Sequence, residues 1–192
     1  MSPRPRRARS TAILAATILT TLGCGDADAP FAGTYVARID ETLIAVVVDD
    51  PNGTAVAYAC DGRDGRMDPT AAWFNGTLAG GAAELTGPHG TLSVTLADGA
   101  ASGELRLDVG DARAFDGPRS DDAALLWATA TADGGDLLGG WIFDDDGTQR
   151  GAVLKRSIGD TSVTLMSAQT TSLTFEGTTL MIKTLTSPTL VE

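Results

Sequence analysis

Residues 42–62 read TLIAVVVDDPNGTAVAYACDG, and this stretch decides the fold. Two apolar runs flank its central four residues, Asp-Pro-Asn-Gly at positions 50–53. Proline presets φ at the second position of a turn, and glycine takes a left-handed backbone conformation without strain. The tetrapeptide therefore predicts a β-hairpin with a three-residue loop and a bulge at Gly53, in which Val46 lies opposite Tyr58.

Both faces of this predicted hairpin are apolar. One face carries the large residues between Ile44 and Cys60, and the other carries Leu43, Val47 and several alanines. The absence of a polar face is typical of strands that are buried on two sides. We therefore expect the hairpin to lie at the centre of a β fold rather than in an active site.

Two further hairpins follow from strand alternation and turn residues. Residues 91–96, TLSVTL, alternate apolar and hydroxyl side chains, and Asp-Gly at positions 98–99 turns them into residues 102–109. In residues 137–153, an acidic turn at positions 144–147 places Trp141 opposite Gly151, where an indole can cover a bare backbone.

Two segments are less regular. Residues 121–132 fit either a short helix capped by Asp121 or Asp122 or a strand, and the surrounding β pattern favours the strand. The tripeptide Asp-Gly-Pro at positions 116–118 predicts the end of a strand that begins at Ala112.

Short strands separated by turn signals, without a convincing helix of three turns, predict an all-β fold. We expect a single antiparallel meander that forms a small barrel or sandwich over residues 31–156. A C-terminal β extension follows over residues 157–192, of which 15 are Ser or Thr. Glu-Gly at positions 176–177 predicts a hairpin within this extension.

Residues 1–23 have the features of an export signal. Arginines at positions 4, 6, 7 and 9 precede an uncharged, mostly apolar segment that is too short to span a bilayer comfortably. The segment ends in Thr-Leu-Gly-Cys at positions 21–24, which resembles the lipobox of bacterial lipoproteins. This resemblance implies that Cys24 carries a lipid, that residues 24–30 form a tether, and that the protein is exported to the cell envelope and anchored in the membrane. An ordinary signal peptide is the alternative, and the general and twin-arginine routes both stay open.

The charge of the chain bears on its partners. Removal of residues 1–23 takes away four arginines and no acidic residue, which changes the formal net charge from -11 to about -15. Such a charge repels nucleic acid and anionic lipid headgroups, so we expect no nucleic-acid partner and membrane contact only through the lipid. Acylation of Cys24 would leave Cys60 without a disulfide partner, and we interpret Cys60 as a buried core residue.

Four short strings resemble a recurrent, uncharacterised exported domain of bacteria. They are AYACDG at positions 57–62, WFNG at 73–76, GGWI at 139–142 and DGTQRG at 146–151. The resemblance covers roughly residues 31–153. It implies one β domain and brings no assigned activity or catalytic residue.

Catalytic and metal-binding patterns are sparse. The single histidine, His89, lies in a Gly-Pro-His-Gly turn, and a serine triad built on it would need Ser93 or another serine brought close by the fold. One histidine and one free cysteine cannot fill a zinc site without several carboxylates. Acidic turns at positions 49–53 and 144–147 could offer oxygens to calcium, but their composition favours turn formation. We therefore nominate no catalytic, cofactor-binding or metal-binding residue.

Four aromatic residues could line a ligand surface: Trp73, Phe74, Trp127 and Trp141. Aromatic residues make up only 5% of the chain, so a role in filling the core is favoured. We expect a binding or interaction module for an unknown small-molecule or protein ligand. The alternatives are a carboxylate-dependent hydrolase acting in a barrel mouth and a structural envelope protein that assembles through its C-terminal segment.

Overall fold

The computed structural model describes residues 30–49, 52–62, 71–157, 160–165 and 171–186. Within these ranges the chain is all-β and contains no α-helix, which confirms the predicted fold class. None of the described segments is a helix long and apolar enough to cross a bilayer. The strands are β1 (Gly33–Ile39), β2 (Thr42–Asp49), β3 (Thr54–Cys60), β4 (Ala71–Ala79), β5 (Ala82–Gly87), β6 (Gly90–Ala97), β7 (Ala100–Leu107), β8 (Arg113–Ser120), β9 (Ala124–Ala132), β10 (Gly135–Phe143), β11 (Gln149–Ser157), β12 (Asp160–Leu165), β13 (Ser172–Phe175), β14 (Thr178–Met181) and β15 (Lys183–Thr184).

Strands β1 to β8 form a closed antiparallel barrel in which each strand pairs with the next along the chain. The barrel closes where β1 pairs with β8 over two residue pairs, Thr34 with Ser120 and Tyr35 with Arg119. The hairpin predicted over residues 91–109 is present as β6 and β7, which are joined by the turn at Asp98 and Gly99, and β7 ends at Leu107. The segment that could have been a helix is strand β9.

The prediction that Asp-Gly-Pro ends a strand is wrong. Strand β8 continues through Gly117 and Pro118, which pair with Ala101 and Ala100 of β7. The two residues lie where β8 meets β1, and a Cβ on Gly117 would lie 2.0 Å from the carbonyl oxygen of Val36. A bare backbone is therefore needed where the barrel closes, and the ladder between β1 and β8 starts only after the proline.

The predicted register of the β2–β3 hairpin is wrong by one residue. Asp49, not Asp50, lies opposite Thr54, so Val46 faces Ala57 rather than Tyr58. The loop therefore contains four residues, of which positions 50–51 lie outside the described residues. Gly53 has the expected positive φ of 60°, and the side-chain amide of Asn52 donates a hydrogen bond to Asp49 Oδ2 at 2.5 Å.

Packing explains the observed register. Inside the barrel each large residue of β2 faces an alanine of β3, as Val46 faces Ala57 and Ile44 faces Ala59. On the outside Ala45 faces Tyr58. The interior of an eight-stranded barrel has room for little more than its own side chains, so large groups opposite small ones fit, whereas large groups opposite large ones would clash.

The barrel interior is filled. Residues of all eight strands form one buried apolar cluster, the inner cluster, whose largest members include Tyr35, Phe74, Leu85, Leu92 and Phe115. The hydroxyl of Tyr35 donates a hydrogen bond to the carbonyl oxygen of Phe31 at 3.0 Å, which satisfies a polar group at the edge of this cluster. The barrel therefore encloses a core rather than a channel.

A second sheet, ordered β12-β11-β10-β9-β15, packs on the outside of strands β1 to β4. The apolar residues between the barrel and this sheet form the layer-interface cluster: Val36, Leu43, Ala45, Val47, Val56, Tyr58, Cys60, Ala71, Trp73, Leu125, Leu138, Ile142, Ala152, Leu154 and Leu185. This sheet buries the second face of β2 and β3, which confirms that the hairpin is covered on both sides. By contrast, the outer face of β6 is solvent-exposed at Ser93 and Thr95.

The hairpin of β13 and β14 forms a third layer. Its Phe175 and Leu180 pack on the face of the second sheet that points away from the barrel, in a cluster with Leu126, Ala128, Leu137, Trp141 and Val153. The predicted turn at Glu176 and Gly177 is confirmed, since both residues have positive φ. The C-terminal segment thus completes the second sheet through β12 and β15 and covers Trp141.

Trp141 lies opposite Gly151, as the sequence predicts. Its indole ring also covers Gly139, where a Cβ would lie 2.1 Å from Cη2 of the ring. Because Trp141 is fully buried, the ring cannot move aside into solvent. Two glycines therefore make the space in which Trp141, the largest side chain between the second sheet and the β13–β14 hairpin, packs.

We expect Gly139→Ala to lower the free energy of unfolding by about 1–3 kcal/mol, the usual cost of overpacking a core. Urea denaturation measures this loss. In a Trp141→Leu background the smaller side chain leaves room for the methyl group, so the same glycine substitution should cost much less. Equal costs in the two backgrounds would contradict a clash with the indole.

Candidate binding cleft

The predicted lipidation residue, Cys24, lies outside the described residues. The described chain begins at Pro30 and leads directly into β1 through Ala32. This entry point lies beside an open cleft, which Ala32, Gly33 and Thr34 help to line.

The cleft has a volume of about 460 Å³ and lies where one end of the barrel meets the second sheet. Strands β1 and β2 supply one wall, and the segment before β9 together with β15 supplies the other. Its lining is mostly apolar or hydroxyl-bearing: Ala32, Gly33, Thr34, Val47, Val48, Asp49, Ala123, Ala124, Thr184, Leu185 and Thr186.

Backbone hydrogen bonds hold the second wall in place. The N–H of Leu185 donates to the carbonyl oxygen of Leu125 at 2.8 Å, which extends the pairing between β15 and β9. Opposite this wall, Asp49 is the one charged residue among the described residues that line the cleft, and its carboxylate accepts the hydrogen bond from Asn52. The cleft therefore suits a largely apolar ligand with a few hydrogen-bonding groups.

A smaller depression of about 310 Å³ lies on β9, β10 and β11 at the other end of the second sheet. Its lining includes one acid and one base, Asp136 and Arg156, and the hydroxyl of Thr131 donates a hydrogen bond to Asp136 at 3.1 Å. Its lining is more polar than that of the cleft, and it comes from three consecutive strands, whereas the lining of the cleft brings together residues that are far apart in the sequence. We take the larger cleft as the candidate binding site.

The acidic turn at positions 144–147 attaches the second sheet to the barrel. Arg38 of β1 lies 3.4 Å from Asp144 and 3.6 Å from Asp146, and Ser120 at the end of β8 donates a hydrogen bond to Asp145. Hydrogen bonds from the side chain and backbone of Thr148 hold the pKa of Asp146 below its usual value. Among the described residues no group of three or more His, Cys, Asp or Glu side chains could hold a metal ion.

The four aromatic candidates do not line the cleft. Phe74 belongs to the inner cluster and Trp73 to the layer-interface cluster, against which the partly buried Trp127 packs. Trp141 lies between the second sheet and the β13–β14 hairpin. Trp127 also has the ammonium group of Lys183 at 5.3 Å from its ring centroid. The favoured interpretation, that these residues supply core volume, is confirmed for the buried three.

His89 and Ser93 occupy structural positions in the β5–β6 hairpin. The carbonyl oxygen of His89 accepts a hydrogen bond from the backbone N–H of Asp108 at 3.0 Å. The hydroxyl of Ser93 is exposed and bonds to the backbone of Glu104 on β7, at 3.1 Å from its N–H. Both groups thus serve the pairing of neighbouring strands.

The four strings that resemble an exported domain meet at one place, the junction of the barrel and the second sheet. The ring centroids of Tyr58 and Trp73 lie 4.7 Å apart, and a Cβ on Gly140 would touch both rings at 2.7–2.8 Å. At the edge of the same junction, a Cβ on Gly62 would lie 2.5 Å from Cδ of Arg150. These strings therefore mark where two layers pack rather than where chemistry occurs.

Comparison with known proteins adds no relative: no family model matches the chain, and neither a curated protein nor a solved structure matches it significantly. The site is therefore defined by its geometry alone.

Cys60 is a free, fully buried cysteine of the layer-interface cluster. Burial raises the pKa of its thiol, because apolar surroundings disfavour the thiolate. We expect a Cys24→Ser chain, in which Cys60 is the one remaining thiol, to resist a disulfide exchange reagent at pH 8 for hours in native buffer. In urea the thiol should react fully within minutes. Rapid stoichiometric reaction in native buffer would contradict a closed interface.

Proposed function

We propose that this chain is an exported, lipid-anchored protein of the bacterial cell envelope whose β domain acts as a binding or interaction module. The lipobox-like end of the apolar segment at Cys24 supports the anchor. Five residues lie between Cys24 and Pro30, where the described chain begins, so six residue steps connect the two. At most about 21 Å of extended chain therefore lies between the anchor and the start of the fold, so the domain stays close to the membrane surface.

The filled barrel together with the open cleft is the observation that carries the binding role. An apolar core occupies the interior, so a ligand has to bind on the outside of the barrel. The cleft between β1, β2 and the second sheet is the larger of the two concave sites described above, and its lining begins two residues after Pro30. A module of this kind would present its ligand site close to the membrane to which it is attached.

The packing weakens the alternative of a hydrolase in a barrel mouth. Such an enzyme needs two facing carboxyl groups with space for a sugar or water between them. Apolar side chains fill the described barrel interior, and Trp141, one of the aromatic residues expected to flank such a mouth, is covered by the third layer. No observation favours the hydrolase over the binding module.

The structural alternative assigns assembly to residues 157–192. The described part of this segment belongs to the core, since β12 and β15 extend the second sheet and the β13–β14 hairpin covers Trp141. Its Glu176 also forms an ion pair with Lys155 of β11. Because this segment is part of the core, its deletion should disrupt the fold. A loss of assembly after the deletion would therefore not show that the segment has a separate role in assembly.

Lipidation is tested by growing cells that express the chain with a clickable fatty-acid analogue. We expect the wild-type protein to be labelled and to sediment with membranes, because Cys24 carries the lipid. The matched Cys24→Ser variant should be unlabelled and soluble in the same fractionation. An unlabelled wild-type chain would overturn the anchor.

The binding role of the cleft is tested by NMR screening of small-molecule fragments against the folded chain. We expect chemical-shift changes to cluster at residues 32–34, 123–124 and 184–186. Ala32→Phe should abolish these changes, because Ala32 lies between elements and its enlarged side chain would fill the cleft. Thr95→Phe, on the exposed outer face of β6, is the control and should leave them intact. Shift changes that cluster elsewhere would place the binding surface on another face.

A further inference from the structure

Two buried polar groups at the junction of the barrel and the second sheet have no oxygen or nitrogen acceptor among the described residues. They are the hydroxyl of Tyr58, a residue that is 0% exposed, and Nε1 of Trp73, a residue that is 4% exposed. Buried polar groups in native proteins almost always have a partner, either in the protein or in ordered water. The hydroxyl proton of Tyr58 and the indole proton of Trp73 therefore each need an acceptor that the described oxygen and nitrogen atoms do not supply.

The two groups face the same place. Tyr58 and Trp73 lie directly opposite each other on β3 and β4, with their rings tilted by 40°. Gly140 of the second sheet lies over both rings, against Cζ of Tyr58 and Cζ2 of Trp73. Cζ carries the phenol oxygen, and Cζ2 is two bonds from the indole nitrogen, so the polar edges of both rings converge beneath Gly140.

The chemistry of the two groups defines what can bind between them. The indole N–H is only a donor, and the phenol O–H has a proton to donate. The sulfur of Cys60 and the backbone N–H of Ala152 both interact with the hydroxyl of Tyr58. A thiol sulfur is only a weak acceptor and an N–H group is only a donor, so neither gives the phenol proton a strong acceptor. The apolar residues of the layer-interface cluster surround the group, so a charged ligand would be costly here.

We propose that Tyr58 and Trp73 form a binding site for one ordered water molecule, whose oxygen accepts a hydrogen bond from each. A third buried polar atom without a partner, Nε of Arg150, packs beside Gly62 and is not part of this site. The water joins two barrel strands at the surface on which the second sheet packs. It satisfies, at the centre of an apolar interface, two donors that the described protein groups leave without an oxygen or nitrogen acceptor.

The test is a crystal structure of the wild-type protein at a resolution of about 1.5 Å or better, together with NMR of the Trp73 indole proton. We expect a water peak within about 3 Å of both the Tyr58 hydroxyl oxygen and Trp73 Nε1. The indole proton should show cross-relaxation with a long-lived water. Tyr58→Phe should abolish this signal, because the water loses one of its two anchors.

Tyr35→Phe is the matched control, since the hydroxyl of Tyr35 donates to the carbonyl of Phe31 within the protein. It should leave the Trp73 signal unchanged. The proposal fails if the wild-type density shows an oxygen or nitrogen acceptor of the protein bonded to either group, an organic anion, or no ordered atom between them. The wild-type structure decides the question even if Tyr58→Phe does not fold.

Discussion

The fold depends on the burial of both faces of β2 and β3. One face points into the barrel, where space is limited, and the other lies under the second sheet. A strand pair under this constraint carries mostly apolar side chains. On the face inside the barrel, each large residue must also lie opposite a small one. The alanines of β3 meet this demand against the branched residues of β2. The remaining barrel strands and the second sheet are arranged around this pair.

The same constraint explains which parts of the fold could be predicted. Strands such as β6 are easily predicted from the sequence. Their outer face is exposed to solvent, so apolar and polar side chains alternate strictly along the strand. The β10–β11 hairpin is equally clear, since Trp141 needs a glycine opposite it. The register of β2 and β3 could not be read from the turn, because Asp-Pro-Asn-Gly fits loops of three or four residues. Only the width of the barrel interior distinguishes the two registers, and that width belongs to the whole fold.

Tertiary context also determined the two features that local rules missed. A glycine followed by a proline often ends a strand. Gly117 and Pro118 lie instead at the closure of the barrel, where a residue without a side chain and a residue without a backbone N–H are both tolerated. The two-sided apolar pattern of β2 and β3 predicted a cover without identifying it. The cover is a second sheet formed by residues more than 60 positions downstream, with two of its strands from the Ser/Thr-rich segment. The candidate cleft was unpredictable for the same reason, since Thr34, Val48, Ala123 and Leu185 carry no distinctive chemistry and meet only in the fold.

The conspicuous residues of this sequence turn out to serve the contacts between layers. The acidic turn attaches the second sheet to Arg38 and Ser120 of the barrel, and the glycine- and aromatic-rich strings pack against one another beneath Gly140. Distinctive residues used in this way are a poor guide to function. The search for a ligand belongs on the outer surfaces, where an inconspicuous apolar cleft lies beside the segment that leads into β1.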